Sequence, residues 1–185
     1  MSTHLLFLDI ETVPQYASFE DCPVETQKLW SRKAENLKKE ESDDASSIYK
    51  RAGIYAEFGR IICISTGFLH QTNEKRILKI KSFSGDDEQQ LLSDFASLLN
   101  KSFAGPDSRL CAHNGKEFDF PYIARRMVIN NIPLPFILDV AGKKPWEVGF
   151  LDTMEMWKFG DFKSYTPLNL LTHVLGIPKI GRAHV

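Results

Sequence analysis

The chain has few cysteines and none of the long apolar runs or basic excess that would assign it to several large classes of protein. Its three cysteines, Cys22, Cys63 and Cys111, are an odd number without C-x-x-C spacing. That argues against a disulfide scaffold and a structural zinc site, and for reduced thiols. No apolar stretch approaches the roughly 20 residues that a membrane-spanning helix needs, so no membrane association is expected. The opening MSTHLLFLDIE has no basic leader before its short apolar run, which sets the expectation of a cytoplasmic protein. Basic charge is not in excess either: 23 Lys and Arg stand against 24 Asp and Glu, a net charge of −1. Attachment to nucleic acid by bulk basicity is excluded, though a local phosphate-binding groove is not. Internal repeats are also lacking. What remains is ordinary for a globular protein: 43% hydrophobic and 25% charged residues in a chain of 185, long enough for one domain with a sizeable core.

The apolar run at 4–9 (HLLFLD) ends in an acid, as a buried strand does on reaching a site. Residues 15–60 read as a polar insert. Within it, Val24 to Lys39 suits a helix with Trp30, Ala34 and Leu37 on one face, and KKEESDDASS reads as an exposed mobile loop. Residues 61–69 and 75–83 read as two strands joined at 70–74. A helix over 87–100, capped by Ser84 or Asp86, repeats Leu91, Leu92, Phe95, Leu98 and Leu99 at helical spacing. After Gly105-Pro106 come a short strand at 109–113 and a helix over 119–130. The periodicity of that helix turns Phe120, Ile123, Ala124, Met127 and Val128 inward, and Arg125 and Arg126 outward. A short strand near 148–152, a helical turn at 153–158 and a last helix opening at Thr166-Pro167 and stopping at Gly176 complete the chain. The order predicts an α/β fold, a mixed five-stranded sheet with flanking helices.

Two groups of acids carry candidate chemistry. In a strand, residues two apart share a side, so the carboxylates of Asp9 and Glu11 converge. They repel unless a cation sits between them, and oxygen-only ligation suits Mg²⁺ or Mn²⁺. Alone, D-x-E is as easily a turn. Asp119 follows the strand at 109–113 and opens the next helix, where its plain role is an N-cap. Both groups fall at the C-terminal ends of strands, where open α/β sheets place their sites. If the first and fourth strands run parallel, Asp119 comes within reach of Asp9 and Glu11.

These residues carry a resemblance. DIET at 9–12 and HNGKEFD at 113–119 resemble the first two motifs of the DEDD superfamily of 3′–5′ exonucleases. The nearest likeness is to the predicted exonucleases related to the proofreading domain of family-B DNA polymerases. AEFGRIICIS at 56–65, LDTMEMW at 151–157 and FKSYTPLNLLTHVLGIP at 162–178 are similar to that family too. The resemblance implies a ribonuclease-H-like domain over 1–178 that hydrolyses phosphodiester bonds at nucleic-acid 3′ ends by a two-metal mechanism. Asp9, Glu11 and Asp119 would be catalytic and hold two Mg²⁺ or Mn²⁺ ions, while Thr12, Asn114 and Phe118 would bind substrate. Capping is the alternative for Thr12 and Asn114, and core packing for Phe118. The expected partner is a single-stranded 3′ end, DNA before RNA, and any polymerase partner is unknown.

The family's third motif, Tyr or His four residues before an Asp, falls on a helix after the one at 167–175, and the chain ends first. Asp152 and Asp161 are the nearest acids, and Asp152 reads as a cap for the turn that follows it. Residues 180–185, IGRAHV, resemble one reading frame of a widely used sequencing adapter, so 179–185 is expected to be a non-native tail. Without the fourth acid and its helix, a less active and less soluble chain with an uncovered sheet face is expected. A non-catalytic nucleic-acid-binding module with the same fold is the alternative. Clustered acids argue against it, since they repel phosphates. Lys116, Arg125, Arg126, Lys143 and Lys144 could meet a substrate backbone, and Trp146, Phe150, Trp157, Phe159 and Phe162 could offer a stacking wall. Solvated surface and core are the plain alternatives for these. His4, His70 and His173 have no partners at ligand spacing.

Overall fold

The structure is a computed structural model and describes residues 4–71, 75–161 and 163–178. The expected tail at 179–185 lies outside the described residues, as does Phe162. The apolar first segment forms β1, His4–Pro14, longer than expected because the acids are carried within the strand. Strand β2 spans Gly59–Gln71 and β3 spans Arg76–Ser84, with β4 at Ser108–Ala112 and β5 at Leu151–Asp152. They form one five-stranded sheet in the order β3-β2-β1-β4-β5. Strand β1 is antiparallel to β2 and parallel to β4, and β4 is parallel to β5. This is the mixed α/β sheet that the sequence predicts.

Alternation along β1 assigns the two faces of the sheet. Leu6, Leu8 and Ile10 are buried, and they pack in one core with Leu92, Phe95 and Leu99 of helix α2 (Glu88–Ser102) and Ile123 and Met127 of helix α3 (Asp119–Ile129). The opposite face carries Phe7, Asp9 and Glu11, registered against Gly67, Ser65 and Cys63 of β2. Further along, Leu69 faces Leu78, and Ile80 faces Gly67; Leu69, Leu78 and Ile80 are exposed. On β3 only Phe83 is buried.

The insert builds a small core of its own. Helix α1 runs Val24–Glu35 and ends before Lys39, because the chain turns where Leu37 N–H donates to the Ala34 carbonyl. Trp30 and Ala34 are fully buried against Cys22, Ile48, Tyr49 and Ala52, and Leu37 is packed on them. A 3₁₀ helix at Tyr49–Ile54 leads back to the sheet. The stretch expected as a loop is exposed and tied by its own acids: Asp43 accepts from Lys39 N at 2.9 Å, and Asp44 from Ser47 N at 2.7 Å.

Three expectations need correction. Helix α2 is capped by Asp87, whose carboxylate accepts from Gln90 N at 3.0 Å, rather than by Ser84 or Asp86. Helix α5, Leu168–Val174, starts with Pro167 in the cap position and no side-chain cap from Thr166. Helix α3 is rotated from the predicted face: Tyr122 and Arg126 are buried, while Val128 is 61% exposed. Arg126 is held inside by Glu88, which accepts from its Nε at 2.9 Å and also from Nη2, while Nη1 donates to the Ala56 carbonyl at 2.9 Å. No described helix is long and apolar enough to cross a membrane.

Candidate active site

At the C-terminal half of β1, Asp9 and Glu11 are exposed on one face. The β1–β2 register breaks immediately after them: Glu11 faces Cys63, whereas Thr12 faces Ile61. Such a bulge bends a strand and re-aims the side chains beside it. Thr12 is half-buried, near the phenol of Tyr122. The same phenol donates to the Gly53 carbonyl at 2.8 Å, fastening the insert to the site.

The loop after β4 supplies the third acid. Asn114 has a φ of 63°, a left-handed conformation that asparagine tolerates better than most residues. At Gly115 an added Cβ would lie 2.4 Å from the Ala112 Cβ and 3.0 Å from the Phe120 ring; only glycine lets the loop pass so close to the strand it leaves. The turn ends at Asp119, the first residue of α3 and only 4% exposed. Its N-cap position is taken by Phe118. Instead of capping the helix, the Asp119 side chain reaches β1, where Oδ1 accepts from Ile10 N at 3.1 Å. The parallel pairing of β1 and β4 thus brings Asp119 beside the residue between Asp9 and Glu11.

Electrostatics record the crowding. The Asp119 carboxyl is pushed up to about 7, first by burial and then by the charge of Asp9. Burial also raises the Asp9 carboxyl, and His113 partly offsets it. Among the described residues no group of three or more His, Cys, Asp or Glu side chains stands ready to hold a metal ion. The donor chemistry nevertheless fits a hard divalent cation: all three candidates are carboxylates, and the charge of Asp9 adds to the cost of ionising Asp119.

Asp152, the last residue of β5, holds the loop in place. Its Oδ1 accepts from Asn114 N at 2.9 Å and Met154 N at 2.9 Å, and its Oδ2 from Lys116 N at 3.1 Å. It caps helix α4, Thr153–Lys158, as the sequence suggests, and also splints the Asn114–Lys116 turn. Asp161 lies apart, accepting from Lys163 N at 3.0 Å. Phe118 is half-buried, tilted against Tyr122 with ring centroids 5.4 Å apart. The Oδ1 of Asn114 is buried without a hydrogen-bond partner, an arrangement that calls for one.

His113 had no role in the sequence reading, although it opens the second motif. Its Nδ1 pairs with Thr153 Oγ1 at 2.9 Å and its Nε2 with the Thr166 carbonyl at 2.9 Å. A carbonyl only accepts, so Nε2 carries a proton. The ring ties the end of β4 to α4 and to the segment entering α5, and lies close enough to act on the Asp9 carboxyl. Of the basic candidates, Lys116 is paired with Glu155 at 2.6 Å, Arg125 is exposed, and Arg126 is buried away from any substrate.

A mixed five-stranded sheet with flanking helices, acids within β1 and a third acid opening the helix that follows the parallel β4, is the fold of ribonuclease-H-like exonucleases. The chain resembles exonuclease I from Methylocaldum szegediense with a TM-score of 0.52 at 13% identity, covering 98% of this chain and 37% of that one. A product-bound exonuclease I aligns with a TM-score of 0.51 at 12% identity over 96% of this chain and 39% of the other. A zinc-bound complex of E. coli ExoI with single-stranded DNA aligns with a TM-score of 0.47 at 13% identity, over 99% and 36%. The chain therefore spans less than two-fifths of the length of these exonucleases. A search of curated protein sequences finds no match. Residues 54–183 match the family model described as a predicted 3′–5′ exonuclease related to the exonuclease domain of PolB, and the chain belongs to that family. The match includes Asn114 to Asp119 and Asp152, and begins after the Asp9–Thr12 motif.

Proposed function

We propose that the chain is a metal-dependent 3′–5′ exonuclease domain acting on single-stranded 3′ ends, with DNA as the first expected substrate, in the cytoplasm. The observation that carries this reading is the delivery of Asp119 to β1, where its carboxyl and that of Asp9 resist ionisation together. Two acids held at that cost at the ends of parallel strands are suited to sharing a cation. Asp9, Glu11 and Asp119 would hold Mg²⁺ or Mn²⁺, two ions in the full arrangement. Such ions lower the pKa of a bound water and stabilise the attacking and leaving oxygens of phosphodiester hydrolysis.

The chain's own residues prepare that chemistry. Asp152 and His113 fix the loop that carries Asp119. Asn114 opens the turn that ends at Asp119, Thr12 stands beside the bulge, and Phe118 walls the loop; these three would bind substrate. Among the described residues Asp152 is a further acid that acts on Asp119, since its charge also raises the Asp119 carboxyl. Asp152 is engaged by backbone N–H donors, and Asp161 caps a separate turn. With three acids the cage is incomplete, and hydrolysis by these 185 residues is expected to be slow. A binding module without catalysis is disfavoured, because acids beside phosphates repel them unless a cation intervenes.

Thermal melting with and without Mn²⁺ tests the acids directly. A cation held at about 100 times its dissociation constant adds about 2.7 kcal/mol to stability, a rise of several degrees in Tm for a domain of this size. Asp9→Ala should abolish the rise. If wild type and variant respond alike, the three acids are caps and surface charges.

A further inference from the structure

Between α3 and β5 the chain carries chemistry that the acid site leaves unused. Phe136 is 72% exposed and Trp146 77%; two such rings left in water on one connection forgo a large apolar burial. Each has an ammonium over its face. Lys143 Nζ lies 5.0 Å from the Phe136 centroid and Lys144 Nζ 5.3 Å from that of Trp146. Neither lysine joins an ion pair among the described residues. Two neighbouring acids are engaged, Glu147 accepting from Lys144 N at 2.8 Å and Glu155 paired with Lys116, while Asp139 is exposed on the same connection.

One of these pairs borders two grooves. A groove of about 300 Å³ is lined by Lys116, Pro145 and Lys143, and a second of about 240 Å³ by Lys143, Phe136 and Arg109. Lys143 belongs to both, so the two grooves adjoin. Lys116 sits in the turn that Asp152 splints, three residues before Asp119. The grooves thus run from Lys116, whose ammonium is shared with Glu155, to Lys143 and the open ring of Phe136, with Lys144 and Trp146 on the same connection. Phosphates seek cations and bases stack on exposed rings, whatever their sequence.

We propose that this connection is a single-strand subsite. A strand whose 3′ end lies at the acids continues over Lys116 and Lys143, with bases stacked on Trp146 and Phe136 and phosphates on Lys143 and Lys144. The direction of the strand rests on the exonuclease reading, whereas the contacts do not.

Binding in EDTA removes hydrolysis and separates the two claims. Fluorescence anisotropy would compare dT3, dT12 and U12 on the parent chain and on the variants W146A, F136A and K143A/K144A. All four positions are exposed and circular dichroism checks the fold. The parent should bind dT12 more tightly than dT3. W146A and F136A should each weaken dT12 by roughly fivefold or more and leave dT3 unchanged. K143A/K144A should lower the slope of log affinity against log salt by about 1.4, two single-strand phosphates at about 0.7 each. Quenching of tryptophan emission by dT12 should be lost in W146F. Tighter binding of U12 than of dT12, with the same losses, would make the strand RNA. Variants that bind dT12 as the parent does overturn the subsite while leaving the exonuclease reading intact, and a parent without preference for dT12 over dT3 overturns it as well. Loss of binding in the variants beside a flat Mn²⁺ melting response would keep the subsite and reject the exonuclease.

Discussion

Asp119 shows what one residue must satisfy to serve this site. Its carboxyl is moved from 3.8 to about 7 by burial and by Asp9, so folding favours the neutral acid. Stability from this group is complete below about pH 4 and is lost as the pH rises through 7. Asp119→Asn keeps an oxygen for Ile10 N and cannot ionise. Melted in EDTA, the variant should match wild type near pH 4 and exceed it by several degrees at pH 8; equal melting temperatures at pH 8 would contradict the assignment. With Mn²⁺ the order at pH 8 should reverse. The pairing of Asp9 with Glu11 was legible because strand periodicity alone sets it, and Asp119 because it follows a strand. The anchoring of His113 was not, since its partners lie 40 and 53 residues further along the chain. Its position next to Asn114 in the motif was the one available signal.

Helices α2 and α3 are lashed together by a buried ion pair that hydrophobic periodicity cannot see. Glu88 Oε1 also accepts from Ile61 N at 2.7 Å, and Oε2 from Asn130 Nδ2 at 3.1 Å, so the acid joins both helices to β2. Arg125 and Arg126 look alike in sequence, yet they should behave differently. Arg126→Met leaves Glu88 buried without its cation and should cost about 3–5 kcal/mol, whereas Arg125→Met should stay within about 0.5 kcal/mol. Urea unfolding of the two variants decides this, and similar midpoints would refute the role of the pair. The predicted face of α3 holds for Phe120, Ile123 and Met127 and fails at Arg126 and Val128 for the same reason. Tyr122 and Arg126 turn inward because Gly53, Ala56 and Glu88, all distant in sequence, satisfy their polar ends. Val128 has no such call and faces solvent. The existence of α3 was readable from its period; its orientation was set by partners.

For the whole molecule, the order β3-β2-β1-β4-β5 converts separate motifs into one site. Strand β1 is central, so its acids face both the antiparallel pair and the parallel strand that leads to Asp119. Strand types and order along the chain predicted the sheet well, because long apolar or alternating runs bounded by breakers leave few topologies. Within the insert the helix with Trp30, Ala34 and Leu37 on one face was readable, but the core it makes with Tyr49 and Ala52 was not, because that core assembles from short pieces without a continuous period. The central claim is that Asp9, Glu11 and Asp119 make this fold a cation-dependent 3′–5′ exonuclease. The measurement that tests it most directly is nucleotide loss from a 5′-labelled single-stranded DNA in Mn²⁺, wild type beside Asp9→Ala. Slow, stepwise shortening from the 3′ end that disappears in the variant is the predicted result. Equal shortening by both proteins, or none by wild type at any protein concentration, would contradict it.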